Sequence, residues 1–210
     1  FTNSRIWDNV FTVAASCSPP SYSDIVTAQR RVIELCGNTD GEKCVDADIL
    51  DLLVRHLVVE EAEYDPSKPG LARMAVQLID QQIVPLITAN KRLWQIVAKV
   101  ALWRKRPGSA LEAHEKAWRA VTSQPGWEVG TEQRWNEVVD ATVELCDAYE
   151  SLGSMEKMEG LAAGSGELVA KDWRFKARSA VRGIMGKGKR SWDGTEGLER
   201  LRERMDGLKA

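Results

Sequence analysis

Apolar residues along this chain recur at the three- and four-residue spacing of amphipathic helices and hardly anywhere alternate as a half-buried strand would. Only Leu52 to Val59 is β-branched enough to suggest a strand. Even there Ile49, Leu52, Leu53, His56, Leu57 and Glu60 fall on one helical face, with Asp46 and Asp48 in the first turn, where the helix dipole favours acids. The spacing predicts helices over 3–16, 22–36, 45–62, 70–89, 91–104, 108–122, 131–152, 154–187 and 194–209. Turn chemistry marks the breaks, at Cys17-Ser18-Pro19-Pro20, Gly37-Asn38, the run from Tyr64 to Pro69, and Pro125-Gly126. Pro85 must kink or end its helix, and it disfavours helical geometry at Val84. Gly160, Gly164 and Gly166 weaken the 154–187 helix so that it can be two, and Thr195 or Asp193 is available to cap the last helix.

Antiparallel helices joined by short turns, without a sheet, fit either a bundle or a solenoid of helical hairpins. A repeat decides between them. Trp94 is followed sixteen residues later by Ala110 and seven further on by Ala117, and Pro125 ends the unit, which is the spacing of a tetratricopeptide repeat. The bulky indole fills the gap between the hairpin's helices and the alanines allow close approach. A weaker copy runs through Trp7, Val10, Phe11 and Ala14 to Ile25, Ala28, Gln29 and Val32. A third begins at Trp135, Val138, Val139 and Thr142, but no clean second helix follows it. The expected fold is therefore all-α: a solenoid of tetratricopeptide-like helical hairpins over 1–153, closed by a basic carboxy-terminal helical cap over 154–210. Trp7, Trp94, Val97, Ala110, Ala117 and Trp135 are expected in its core.

The chain has 210 residues, 43% of them hydrophobic, and a formal charge of -2, enough for a sizeable core and no demand for a polyanionic partner. No apolar run approaches the length that crosses a bilayer, and nothing near Phe1 resembles a signal peptide. A start at Phe1 without methionine suggests a piece of something longer. Cys17, Cys36, Cys44 and Cys146 form no CxxC pair, which fits a reducing cytosol or nucleus, and with His56 and His114 they make no zinc spacing. Charge is distributed unevenly: residues 171–210 carry twelve basic and six acidic side chains, so this tail is +6 and the remainder -8. Such a tail serves an acidic protein surface, its own or a partner's, or else RNA. No recognised nucleic-acid motif accompanies it, and Trp173 and Phe175 within it read as core residues at helical spacing. Arg174, Arg178 and Arg182 are its candidate contacts.

Catalytic signals do not stand up. The GxxxxGK pattern of Gly183 to Lys189 has Arg190 where a magnesium-binding hydroxyl belongs and follows a helix where a phosphate loop follows a strand. His114 and Glu115 are neighbours on a helix and point about 100° apart. We expect no catalytic residue, no cofactor and no metal.

The order of segments resembles the carboxy-terminal region of the tetratricopeptide repeat protein 27 family, whose fungal members are named for maintenance of the cell wall. The resemblance rests on RIWDNVFTVAAS and YSDIVTAQRRVIEL, then RLWQIVAKVALW with SALEAHEKAWRAV, then EVVDATVELCDAY and a long helical tail. It implies a non-enzymatic helical-repeat scaffold tied to chaperone machinery, which binds a client protein during assembly of the spliceosomal U5 particle, the client being that particle's GTPase. On that reading the first helices of the hairpins line the contact surface, and Arg5, Asp8, Gln95 and Lys99 are the residues expected to touch the client.

Overall fold

A computed structural model of the chain describes residues 9, 12–14, 16, 21–36, 41–60, 64–67, 69–161, 166–188 and 191–208, with backbone alone at 36, 41, 42, 156–161 and 166–171. Among them all regular structure is helical, as the periodicity requires. None of the described helices is long and apolar enough to cross a membrane. Most of the 3–16 helix, with Trp7, lies outside the described residues; positions 9, 12–14 and 16 within it are helical. The chain forms two compact units, Phe1–Arg106 and Pro107–Ala210.

In the first unit α1 spans Tyr22–Cys36, α2 Ala47–Glu60, α3 Leu71–Leu78 and α4 Lys91–Trp103. Asp46 starts α2 by accepting the backbone N–H groups of Asp48 (2.9 Å) and Ile49 (3.1 Å), and Asn90 starts α4 by accepting that of Leu93 (3.2 Å). The break expected at Pro85 is there. α3 widens into a π turn at Ile79–Ile83 and a 3-10 turn at Val84–Leu86, because proline offers no N–H and its ring would strike the carbonyl four residues back. Tyr22 stacks flat on His56, 3.8 Å between centroids, joining α1 to α2.

The buried face of α2 differs from the expected one. Leu50, Asp51, Leu53, Val54 and Leu57 are inside, Leu52 is exposed and Ile49 half-buried. A carboxylate at position 51 hid that face from a hydrophobicity pattern. In α4, Trp94 is buried as expected, but Val97, on the same arc, is only half covered. Periodicity tells which way a side chain points and not how far its neighbours reach across it.

The second unit is a run of consecutive antiparallel helices: α5 Pro107–Thr122, α6 Glu132–Leu161, α7 Gly166–Gly188 and α8 Glu196–Gly207. α5 lays Ala110, Ala113, Ala117 and Ala120 into the interior, small residues that let helices approach closely. α6 is central, with Trp135, Val138, Val139, Thr142 and Cys146 fully buried, and α8 packs across α6 and α7. The clean partner helix missing from the Trp135 segment is α7. The helix over 131–152 continues through Gly153 and Gly160 to Leu161, so the expected division at 153/154 falls inside one helix, whereas the compact units meet at 106/107. Gly153 has a packing reason: a Cβ there would stand 3.0 Å from the Trp173 side chain. The strongest repeat match, Trp94 to Ala117, puts its two helices in different units.

Glycine also governs the far end of α6. The Trp135 indole stacks between Trp127 (6.0 Å, 18° between planes) and Trp192 (5.6 Å, 7°). Gly188 and Gly197 face its edges so closely that a Cβ on either would come within 2.5 Å of the ring. Gly183, Gly186 and Gly188 of the apparent phosphate-loop pattern are thus helical residues of α7. Thr195 stands at the start of α8, but its hydroxyl donates back to the Trp192 carbonyl (2.7 Å), and Asp193 pairs with Arg202 at 2.9 Å, so neither side chain caps α8.

Candidate functional site

Of the expected client contacts, Arg5 and Asp8 lie outside the described residues. Gln95 and Lys99 sit one turn apart on α4, Gln95 half-buried and Lys99 with half its side chain exposed. Lys99 already has an acidic partner within its own unit. Its ammonium donates to Asp51 Oδ1 at 2.7 Å, and Asp51, 4% exposed, also accepts from Arg55. Burial raises the Asp51 pKa, but the bonds from Lys99 and Arg55 outweigh it and hold the carboxyl below its ordinary value. Lys99 thus carries part of the tie between α2 and α4.

The basic tail finds its acids within its own unit. Arg200 meets Asp140 at 2.9 Å, and Arg204 reaches Asp147 at 2.5 Å and Glu150 one turn on, so α8 lies along the acidic face of α6. Arg174, Arg178 and Arg182 make no ion pair among the described residues; Arg178 Nε donates to the Arg174 carbonyl at 3.3 Å and Arg182 is exposed.

A concavity lies beside that arginine stripe. α5 and α7 both pack on α6, and between them runs an open groove of about 480 Å³. Leu145 and Tyr149 of α6 form its floor, Trp118 and Arg119 of α5 one wall, Phe175, Lys176, Ile184 and Lys187 of α7 the other. Hydrogen bonds fix the α5 wall to the floor: Trp118 Nε1 donates to Thr142 Oγ1 (3.0 Å) and the Tyr149 hydroxyl to Glu115 Oε1 (2.9 Å). Burial, then the bond to Glu115, raises the Tyr149 pKa, so the phenol stays a neutral donor.

Cations dominate the rim. Arg119 pairs with Glu115 at 3.3 Å. Lys176 pairs with Asp172 at 3.0 Å and stands 4.1 Å over the Trp173 ring, while Lys187 lies 5.9 Å from the Trp127 ring and has no acidic partner among the described residues. Phe175 is 65% exposed at the edge. The groove offers positive charge, an uncovered aromatic ring and an apolar floor, the chemistry of binding.

The sequence missed these residues because they come from three helices up to about 70 positions apart. Phe175 carried the one local signal, an aromatic among lysines and arginines, and reading it as core was wrong: Trp173 turns inward to stack on Tyr149 (5.6 Å), and Phe175 faces solvent. His114 is half-buried and its Nδ1 lacks a hydrogen bond among the described residues; burial lowers its pKa, while Glu144 and Asp147 act the other way. Cys146, against the Ala177 carbonyl, has its thiol pushed up to about 12 by burial and packs as an inert residue.

No protein-family model matches the chain, and no solved structure does. Among known proteins it is similar to a TPR repeat-containing protein of Schizosaccharomyces pombe, 39% identical over 209 residues, which is 100% of this chain and 24% of that protein. It is likewise similar to Essential for maintenance of the cell wall protein 1 of Saccharomyces cerevisiae, 40% identical over 202 residues, or 96% of this chain and 22% of that protein. The chain therefore spans about a quarter of the length of these relatives. At about 40% identity over all or nearly all of its length, the chain is a homologue of part of these proteins, in line with its resemblance to the tetratricopeptide repeat protein 27 family.

Proposed function

We propose that this chain is the carboxy-terminal part of a non-enzymatic helical-repeat scaffold that holds a client protein, with the α5–α7 groove as a contact surface. The observation that carries the reading is that groove: open, preformed by hydrogen bonds, and presenting cations and Phe175 to solvent. The repeat name of the fission-yeast relative supports a scaffold, and the budding-yeast relative's name links such a protein to the cell wall. The family resemblance supplies the finer proposal: a chaperone-linked assembly factor of the cytosol or nucleus whose client is the U5 spliceosomal GTPase. RNA binding by the tail draws less support, since Arg200, Arg202 and Arg204 are engaged with acids of their own unit. Depletion of the full-length protein should lower the amount of that GTPase in assembled particles before splicing fails. If the purified protein co-isolates with no spliceosomal or chaperone component and depletion changes none of their levels, the assembly reading is wrong.

A further inference from the structure

Resting on the scaffold reading, we propose that the α5–α7 groove seats an acidic segment of the partner protein that carries bulky apolar side chains. Its carboxylates meet Arg119, Lys176 and Lys187, and an apolar side chain enters between Phe175 and the floor. Charge argues for the acid. Of the charged side chains lining the groove three are cations, and the fourth, Glu115, is held by the Tyr149 hydroxyl and by Arg119, so its charge is turned into the wall. Lys187 has no acidic partner among the described residues, and Lys176 shares a half-exposed pair with Asp172 that a ligand carboxylate can replace.

Shape argues for the apolar side chain. Leu145 and Ile184 are almost fully buried beneath the groove, while Ala180 and Gly183 of the α7 wall are too small to fill it. Phe175 stays 65% in water unless something covers it. A volume of about 480 Å³ is room for a few side chains and falls in the usual range for ligand clefts, roughly 300–1,000 Å³. RNA fits less well: three cations set around an apolar floor do not track a phosphate backbone, and one exposed ring is a poor platform for successive bases.

The test measures binding of the whole protein by fluorescence anisotropy to a labelled peptide of repeated Glu-Glu-Leu, its Gln-Gln-Leu and Glu-Glu-Ser counterparts, and an oligouridylate. The Glu-Glu-Leu peptide should bind at least about tenfold tighter than either counterpart and lose affinity as salt rises. Lys176→Glu with Lys187→Glu should cost about tenfold, and Phe175→Ser several-fold, while each variant keeps its helical circular dichroism and unfolds cooperatively. Arg182→Glu, on α7 outside the groove, should cost less than about twofold. Equal binding of the glutamine peptide, equal damage from Arg182→Glu, or tighter binding of the oligouridylate would each overturn the proposal. Isolating the same variants from cells separates this claim from the one beneath it. If the wild-type protein brings down no client, the scaffold reading fails; if clients persist with the groove reversed, only the groove assignment fails.

Discussion

Replacing Gly188 by alanine tests whether the tryptophan stack at the end of α6 is as rigid as its contacts require. A Cβ at position 188 would stand 2.5 Å from Trp135 Cη2 and 2.6 Å from Cζ3. Non-bonded carbons sit best at about 3.5–4.0 Å, so the indole would have to retreat by roughly 1 Å. It has nowhere to go: Trp127 and Trp192 cover its faces, and Gly197 borders its Nε1. Overpacking of this kind costs about 1–3 kcal/mol, which outweighs the gain of up to ~1 kcal/mol from alanine's helix propensity, a gain reduced at the last residue of a helix. Gly186, two residues earlier in the same helix, is the matched control, since its Cβ would meet nothing within 4 Å. Gly186→Ala should therefore be neutral or stabilise by up to ~1 kcal/mol. For a unit of about 100 residues each kcal/mol moves the midpoint by roughly 4–8 °C. Urea and thermal unfolding followed by near-ultraviolet circular dichroism, which senses the stacked indoles, would measure both variants. An unchanged midpoint for Gly188→Ala, or equal losses at both positions, would refute the argument.

Other perturbations follow from the same contacts. Lys99→Glu should lower the first unit's thermal midpoint by placing a carboxylate against buried Asp51, whereas Arg182→Glu should not, so any binding loss at Lys99 has to be corrected for folding. Asp51→Asn should cost about 1–3 kcal/mol near neutral pH. Because the folded Asp51 pKa is lowered, its contribution is present above the unfolded value near 3.8 and is lost as pH falls through the folded one; parallel wild-type and Asp51→Asn stability curves across that range would refute the role. Ala117→Leu should overpack α5 by about 1–3 kcal/mol, and an unchanged melting point would mean that its face is misassigned. His114, whose pKa is lowered in the fold, binds protons more readily when unfolded, so stability should fall as pH drops below about 6.5. His114→Leu should flatten that slope, and equal slopes in wild type and variant would exclude His114 as its source.

The helices were legible because amphipathic spacing and caps are local. The 22–36 helix, the break at Pro85 and the helices from 91 and 108 stand where Asn90, Pro85 and Pro107 direct them. Burial of Trp94, Ala110, Ala117 and Trp135 could be read for the same reason. What could not be read depends on partners remote in sequence. Glycine at 153 looked like a stop, and only Trp173, twenty positions away, makes it a contact. Asp51 carries no apolar signal of its own, and its burial depends on Lys99 and Arg55 reaching it. The basic tail could be assigned a sign from composition, yet which acids it meets depends on α8 lying along Asp140, Asp147 and Glu150 of α6.

A groove binds well only if its walls are already in place, since ordering them at the moment of binding subtracts from affinity. In the second unit the side chains that shape the groove are also those that hold it. Leu111, Trp118 and Val121 of α5 pack into the same core as α6, and Gly153 lets Trp173 of α7 come close to α6 in turn. The bulk of Trp118 and Tyr149 lies in the gap between α5 and α7, each anchored by its polar end, to Thr142 and to Glu115. Close packing behind the floor and large anchored rings along it produce a cleft that cannot collapse without breaking part-buried hydrogen bonds. The tail ion pairs act in the same direction, because Arg200 and Arg204 fix α8 to α6 and leave the cations of α5 and α7 as the ones that face the groove. An amphipathic helical run thereby becomes a binding surface: small residues set where helices touch, large ones set where they stand apart, and charge decides what enters the space between.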